Sequence, residues 1–298
     1  MQLNKIAIIG YGNMGNLLLN NFLNLNLFKE ENIIISTRNP KKSKKIDDLI
    51  KIYPKITLSS SNEFVAKLSE KIFICVETFQ LKTILEEIKP FINKNTHIIH
   101  CCAGISFKMI SKVIDAKVSQ IIPTTVSQVD NNLKSFKDNK NGITLISHND
   151  NVLDVDKKFL ENLFENFTYI NVFDNQKLDD ERNLEIATIL SSCGPALIAM
   201  MINQIINISI ENSSLNHNEL EYILIKTIKS TAIKLDTDNN MSITDMINKT
   251  ATKGGITQIG IDYIEENNQI INDFLNILLN KYDIVKKELN NQYDLDSK

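Results

Sequence analysis

Ile6-Ala7-Ile8-Ile9-Gly10-Tyr11-Gly12-Asn13-Met14-Gly15 decides how this chain folds. A short apolar strand, read from Lys5 to Ile9, runs into three glycines in a G-x-G-x-x-G pattern. The helical run Leu17 to Leu25 follows at once. Each glycine has a reason in that setting. Gly10 permits the tight turn, Gly12 lacks the Cβ that would block a pyrophosphate, and Gly15 lets helix and strand approach closely. The free amides at the helix start then face the phosphates. Gly10, Gly12, Asn13, Met14 and Gly15 are therefore the expected floor of a dinucleotide site, in preference to an ordinary glycine-rich turn.

Outward from this turn, short β-rich runs alternate with helical patterns, the signature of βαβ units. Further strands are expected at Asn32–Ser36, Ile56–Leu58, Ile72–Val76, Thr96–Cys101, Ser119–Ile122, Ile143–Ser147 and Tyr169–Val172. Helices are expected at Met14–Leu27, Pro40–Ile52, Leu81–Phe91, Ser106–Ile114 and Val155–Phe167. After Asp174 every long segment carries apolar residues at helical spacing, in Leu178–Ile210, Asn218–Leu235, Thr244–Lys249 and Gln269–Leu289. The expected fold is α/β: a Rossmann-type, doubly wound, mostly parallel sheet over residues 1–173, followed by an all-helical domain over 174–298.

The second strand ends in Ser36-Thr37-Arg38, with Lys41 and Lys42 beyond, where an NAD-selective site usually carries a carboxylate. Arg38 offers a 2′-phosphate two parallel charge-assisted bonds, so NADP is preferred over NAD, with Thr37 and Arg38 as contacts. The competing reading makes these cations a solvated helix start.

Composition narrows the function classes. The 298 residues carry 33 Lys and Arg against 36 Asp and Glu, a net charge of -3, which supplies no basic field for nucleic acid or an anionic membrane. Cys75, Cys101, Cys102 and Cys193 form no CxxC pair, so neither a zinc site nor a disulfide framework is read, and a reducing, cytoplasmic setting fits. The most apolar run, Pro195–Ile202, is too short to span a bilayer. Asp179, Asp180, Glu181 and Glu185 read as a charged helix start with a solvated face rather than a metal cluster. His97 and His100, three apart on a strand, face opposite sides. His148 and His217 read as loop residues without partners, and the adjacent cysteines 101 and 102 as small buried hydrophobes on opposite faces.

Four motifs in order make the whole chain resemble the pyrroline-5-carboxylate reductase family: Ile8-Ile9-Gly10-Tyr11-Gly12-Asn13-Met14-Gly15, Cys102-Ala103-Gly104-Ile105, Ser191-Ser192-Cys193-Gly194-Pro195-Ala196 and Thr252-Lys253-Gly254-Gly255-Ile256-Thr257. The resemblance implies a helical domain that forms a homodimer or higher homo-oligomer. It also implies hydride transfer from NADPH to the C=N carbon of 1-pyrroline-5-carboxylate, giving L-proline, or to a related cyclic imine. Val76, Ala103, Gly104 and Pro123 would line the cofactor beyond the glycine turn. Lys253, Gly254, Gly255 and Thr257 would meet the substrate, two glycines freeing backbone amides for a carboxylate and Thr257 donating a hydroxyl. On the residues alone that loop reads equally as a turn that starts a helix, and Lys253 as a solvated loop lysine in preference to a partner for a substrate carboxylate.

Two of the departures, Cys193 before Gly194-Pro195 and the loop's Lys253-Gly254-Gly255, resemble a divergent branch that includes a late-competence-associated reductase-like protein. The family's Val-Lys-Pro stands here as Val76-Glu77-Thr78, and its Met-Pro-Asn-Thr-Pro as Ile122-Pro123-Thr124-Thr125-Val126. Lys253 replaces a proline and Cys193 a serine. The alternative function is thus an NADP-binding regulatory protein without turnover. A β-hydroxyacid dehydrogenase would need a lysine on the helix after Gly194, and Pro195-Ala196-Leu197-Ile198-Ala199-Met200-Met201 has none.

Overall fold

The structure, a computed structural model, describes residues 5–38, 44–127, 140–173 and 181–295. Pro40, Lys41, Lys42, Leu178, Asp179 and Asp180, to which the sequence assigned helix starts and charges, lie outside these. By compactness the chain divides into one unit of residues 1–195 with 281–298 and a second of residues 196–280.

Eight strands form one sheet in the first unit: β1 Ile6–Ile9, β2 Ile33–Ser36, β3 Thr57–Ser59, β4 Lys71–Ile74, β5 His97–His100, β6 Lys117–Pro123, β7 Ile143–His148 and β8 Tyr169–Phe173. Their order is β3-β2-β1-β4-β5-β6-β7-β8, and every pair is parallel except β6 with β7. The doubly wound expectation is met, with one antiparallel step where β7 returns. Between the strands lie α1 Asn13–Asn24, α2 Lys44–Ile52, α3 Asn62–Leu68, α4 Leu81–Ile88, α5 Phe107–Ser111 and α6 Asp154–Glu165. Sequence periodicity missed α3. Its seven residues are too few to show a period, but Ser61 caps it, accepting a bond from the Phe64 amide at 3.0 Å.

Ile6, Ala7, Ile8 and Ile9 are buried on both faces, as a central parallel strand demands. On one face Phe22 of α1 packs edge-on against Phe28, Phe73 and Phe167, with ring centroids 5.2, 5.3 and 6.4 Å away. The other face is closed by Leu81, Leu85, Ile88, Met109 and Ile110, together with Leu289 and Tyr293 from the end of the chain.

The remaining helices are α7 Glu181–Thr188, α8 Gly194–Glu211, α9 His217–Thr237, α10 Ile243–Thr250, α11 Ile256–Glu266 and α12 Gln269–Gln292. A π-helical turn, Ile189–Cys193, joins α7 to α8. The resulting helical run Arg182–Glu211 has 30 residues and, by length and composition only, is long and apolar enough to cross a membrane. Counting the uninterrupted run Pro195–Ile202 understated it, because isolated polar residues such as Asn203 and Gln204 leave a longer apolar average.

Three sequence expectations are corrected here. Glu185 does not solvate an outer face. It is 4% exposed and bonded by Arg182 and Lys286, each at 3.0 Å, because Lys286 on α12 packs onto α7. His148 ends β7 rather than lying in a loop, and its Nδ1 is 2.7 Å from Ser119 Oγ. His217 is the first residue of α9, with Glu221 one turn on at 3.6 Å.

Candidate functional site

The first turn separates the jobs of its glycines. Gly10 has φ +95°, and a Cβ there would lie 2.5 Å from the Cys75 carbonyl oxygen. At Gly15 a Cβ would fall 2.1 Å from the Gly10 carbonyl oxygen, so only glycine lets α1 sit this close to β1. Gly12 is different. It heads α1, offers no side-chain cap, and a Cβ built there meets no atom within 4 Å. Nothing in the fold requires a glycine at Gly12. The space beside it, at a helix start with uncapped amides, suits a group brought from outside, and the residues present fit a dinucleotide pyrophosphate.

The other expected cofactor residues gather at the same end of the sheet, past the carboxyl ends of parallel strands. Thr37 follows β2 and is fixed by its amide bond to the Ser59 carbonyl at 3.0 Å. Arg38 is exposed, and among the described residues no hydrogen bond or ion pair holds its guanidinium. Val76 follows β4, with its Cγ1 3.0 Å from the position of a Gly10 Cβ. Ala103 and Gly104 follow β5. The Ala103 carbonyl accepts from Thr78 Oγ1 at 3.2 Å, and Gly104 has φ +78°. Pro123 closes β6 and is buried. Asn13 and Met14 open α1, Asn13 exposed and Met14 half-buried.

The sheet also reverses direction here: β2 and β3 lie on one side of β1, and β4 onward on the other. A crevice at such a switch point is where open α/β sheets bind ligands.

Several supporting residues were not read from the sequence. Lys45 Nζ reaches Asn13 Oδ1 at 3.4 Å, bringing a cation to the glycine turn. It lies three residues beyond Lys42, the last of the lysines singled out by position, and only the fold brings it close. Buried Gln120 donates from Nε2 to the Cys102 carbonyl at 2.8 Å, steadying the turn that holds Ala103 and Gly104. Tyr282 also serves that turn. Burial and the nearby Glu185 push its phenol up to about 12, against hydrogen bonds from the Gly104 backbone and Thr188. Tyr11 packs against the core, its hydroxyl donating to Asn16 Oδ1 at 2.8 Å. Glu77, the negative departure noted in the sequence, is exposed.

Lys253, Gly254, Gly255 and Thr257 lie in the second unit. The Gly255 amide donates to the Thr252 carbonyl at 2.8 Å, Gly254 takes φ +73°, and Gly255 caps α11 without a side chain. The segment is thus a helix-start turn that leaves uncapped amides beside an exposed Thr257 hydroxyl. Lys253 is exposed as well. The geometry is that of the helix-start turn; the substrate role of these residues rests on the resemblance.

Residues 5–104 match the family described as NADP oxidoreductase coenzyme F420-dependent, and residues 181–277 match pyrroline-5-carboxylate reductase dimerisation. A pyrroline-5-carboxylate reductase of Methanobrevibacter smithii is 39% identical over 265 residues, covering 88% of this chain and 97% of that protein. Pyrroline-5-carboxylate reductase 3 of Bacillus subtilis is 26% identical, covering 97% and 99%. Among solved structures, a pyrroline carboxylate reductase of Plasmodium falciparum with NADP bound has the same fold, with a TM-score of 0.75 at 22% identity over 97% of this chain and 98% of that one.

Proposed function

Because the chain belongs to the pyrroline-5-carboxylate reductase family, we propose that it reduces the C=N bond of 1-pyrroline-5-carboxylate with a nicotinamide cofactor, giving L-proline. The observation that carries this reading in the chain itself is the open space at Gly12, beside glycines 10 and 15 whose own freedom is consumed by the fold. Residues 1–173 serve as the dinucleotide half, and 174–298 as the dimerising and substrate half.

Gly10, Gly12, Asn13, Met14 and Gly15 hold the pyrophosphate through the amides at the start of α1. Thr37 and Arg38 take the adenosine ribose and its 2′-phosphate, which favours NADPH over NADH, and Lys45 adds charge beside Asn13. Val76, Ala103, Gly104 and Pro123 shape the nicotinamide half. Bound there, the cofactor supplies the hydride, so the protein's part is alignment. In the substrate half, the Gly254 amide and the amides that open α11 receive the carboxylate, with Lys253 as its counter-charge; the Gly255 amide, expected from the sequence to be free, is taken by the Thr252 carbonyl. Thr257 donates its hydroxyl to the ring nitrogen or the carboxylate. The acceptor carbon gains the hydride while the C=N pair moves onto the ring nitrogen, which takes up one proton from water, and this completes the amine.

A regulatory protein without turnover has no observation in its favour: both relatives named above are reductases by name. The deciding experiment mixes purified protein, NADPH and racemic 1-pyrroline-5-carboxylate, following absorbance loss and proline formation together. Stoichiometric proline is expected. NADPH binding without proline would return the regulatory reading.

A further inference from the structure

Sequence gave no reason to join Cys75 to Cys101, which are 26 positions apart. The sheet does. The register of β4 and β5 pairs Ile74 with His100, and the Cys101 amide continues the ladder by donating to the Ile74 carbonyl at 3.0 Å. The next residues, Cys75 and Cys101, are therefore direct neighbours, and their Sγ atoms lie 3.6 Å apart. Adjacent strands run about 4.8 Å apart, inside the roughly 4.4–6.8 Å Cα window of a disulfide. Cys102 belongs to the opposite face, where its Sγ meets the Val76 carbonyl at 3.5 Å and its side chain is in the other core cluster. Cys75 is buried and Cys101 partly exposed.

We infer that Cys75 and Cys101 are a redox-responsive dithiol, oxidised by peroxides to a disulfide that loosens the cofactor crevice; the second half of this inference rests on the function proposed above. The partly exposed Cys101 thiolate attacks the peroxide, forming an S–O bond as the O–O bond breaks and leaving a sulfenic acid. Cys75 Sγ then attacks Cys101 Sγ, and water departs. Two thiols lose two electrons and two protons, and one peroxide takes them up as water when the oxidant is hydrogen peroxide. The hydrogen bond that the Cys101 thiol makes to Cys75, with burial and the neighbouring thiols, holds it well above its ordinary range. Oxidation is accordingly slow at neutral pH and speeds up as pH rises.

A strand spacing of about 4.8 Å is short of the usual disulfide Cα separation of about 5.5–6 Å, so bonding sulfurs that now lie 3.6 Å apart spreads the ends of β4 and β5. Both ends carry the site. The Cys75 carbonyl abuts Gly10, Val76 follows Cys75, and Cys101 precedes the Ala103–Gly104 turn.

The full-length protein is incubated with hydrogen peroxide, and peptides are mapped without reduction. A Cys75–Cys101 linked peptide is expected, lighter by two hydrogen atoms, formed faster at pH 9 than at pH 7 and removed by dithiothreitol. NADPH affinity, read by fluorescence titration, should fall about tenfold in the oxidised form, equivalent to about 1.4 kcal/mol, and recover on reduction. Cys101→Ser should match the reduced wild type and ignore peroxide. Cys75 and Cys101 both still alkylatable after prolonged peroxide would overturn the dithiol. A linked peptide with unchanged affinity would overturn its effect on the crevice. Failure of the reduced protein to bind NADPH would instead strike at the proposed function, while the peptide map still decides the dithiol.

Discussion

Gly10, Gly12 and Gly15 are one residue type with three separable physical roles, and two substitutions tell them apart. Gly15→Ala drives a Cβ into the Gly10 backbone, which has no flexible end to yield. A loss of about 2–3 kcal/mol is expected, read as a lower denaturation midpoint with or without cofactor. Gly12→Val meets empty space in the chain, so its melting temperature without ligand should stay within about 2 °C of wild type. NADPH affinity should nevertheless drop at least about a hundredfold, roughly 2.7 kcal/mol, measured by calorimetry. Normal affinity in Gly12→Val would remove the pyrophosphate from this turn. Arg38→Asp belongs to the same scale: a carboxylate repels a 2′-phosphate and welcomes ribose hydroxyls, so the ratio of kcat/KM for NADPH over NADH should invert. An unchanged ratio would show that Arg38 does not read the phosphate. These residues were legible because a tight turn leaves its mark in consecutive letters. Lys45 and Gln120 were not, since each acquires meaning only from an element distant in sequence.

Elements bring together what no local pattern could. At the end of the sheet away from the glycine turn, His97 Nε2 and His148 Nδ1 each lie 2.7 Å from Ser119 Oγ, and all three residues are buried. One hydroxyl proton serves only one of the two rings, so one imidazole must donate to the serine oxygen while the other accepts from it. Next to them Lys71 and Lys117 share the Asp156 carboxylate, Lys117 at 2.8 Å. Burial pushes the Asp156 carboxyl up, but the bonds from the two lysines outweigh it and the net position is lowered. Burial, with Lys71 next, brings His97 down from the ordinary 6.5 to about 3, and burial brings His100 to about 3 as well. His148 falls to about 4, through burial and then Lys157.

The sign of the effect follows. Folded chains keep these rings neutral, whereas unfolded chains take up protons below pH 6.5, so stability is whole above 6.5 and is lost as pH falls toward 3. Asp156, with its lowered position, adds loss only below its unfolded value of 3.8. Urea midpoints at pH 7.5, 6, 5 and 4 should fall steadily, and His97→Asn should flatten that slope even if it lowers the plateau. A midpoint constant from pH 7.5 to 4 would mean that these rings are not held neutral by the fold. Sequence placed His97 on its strand correctly and His148 in a loop wrongly, because the register that sets Ser119 opposite His148 is a property of the antiparallel pair alone.

At the scale of the whole molecule, the second unit has the composition of a core without the burial of one. Met200, Met201, Ile205 and Ile208 recur at helical spacing on α8 yet are 54%, 55%, 51% and 59% exposed, and Ile223, Ile259 and Ile271 on other helices are as open. Large apolar side chains left this open along one helix mark an interaction site, and residues 181–277 match pyrroline-5-carboxylate reductase dimerisation. Periodicity could identify these segments as helices and their apolar stripes as a seam. It could not say that the covering partner is absent from the single chain, because a stripe that faces its own core and one that faces a second copy are spelled alike. The two cases differ in concentration dependence. By sedimentation velocity the wild type should run as a dimer or larger at micromolar concentration. Met201→Glu with Ile205→Glu should shift it to the monomer, because each carboxylate would be buried unpaired on association. The same pair should lower the melting temperature and make it independent of protein concentration, while NADPH binding at the glycine turn persists. A wild-type chain that sediments as a monomer would leave those helices without the partner their composition requires.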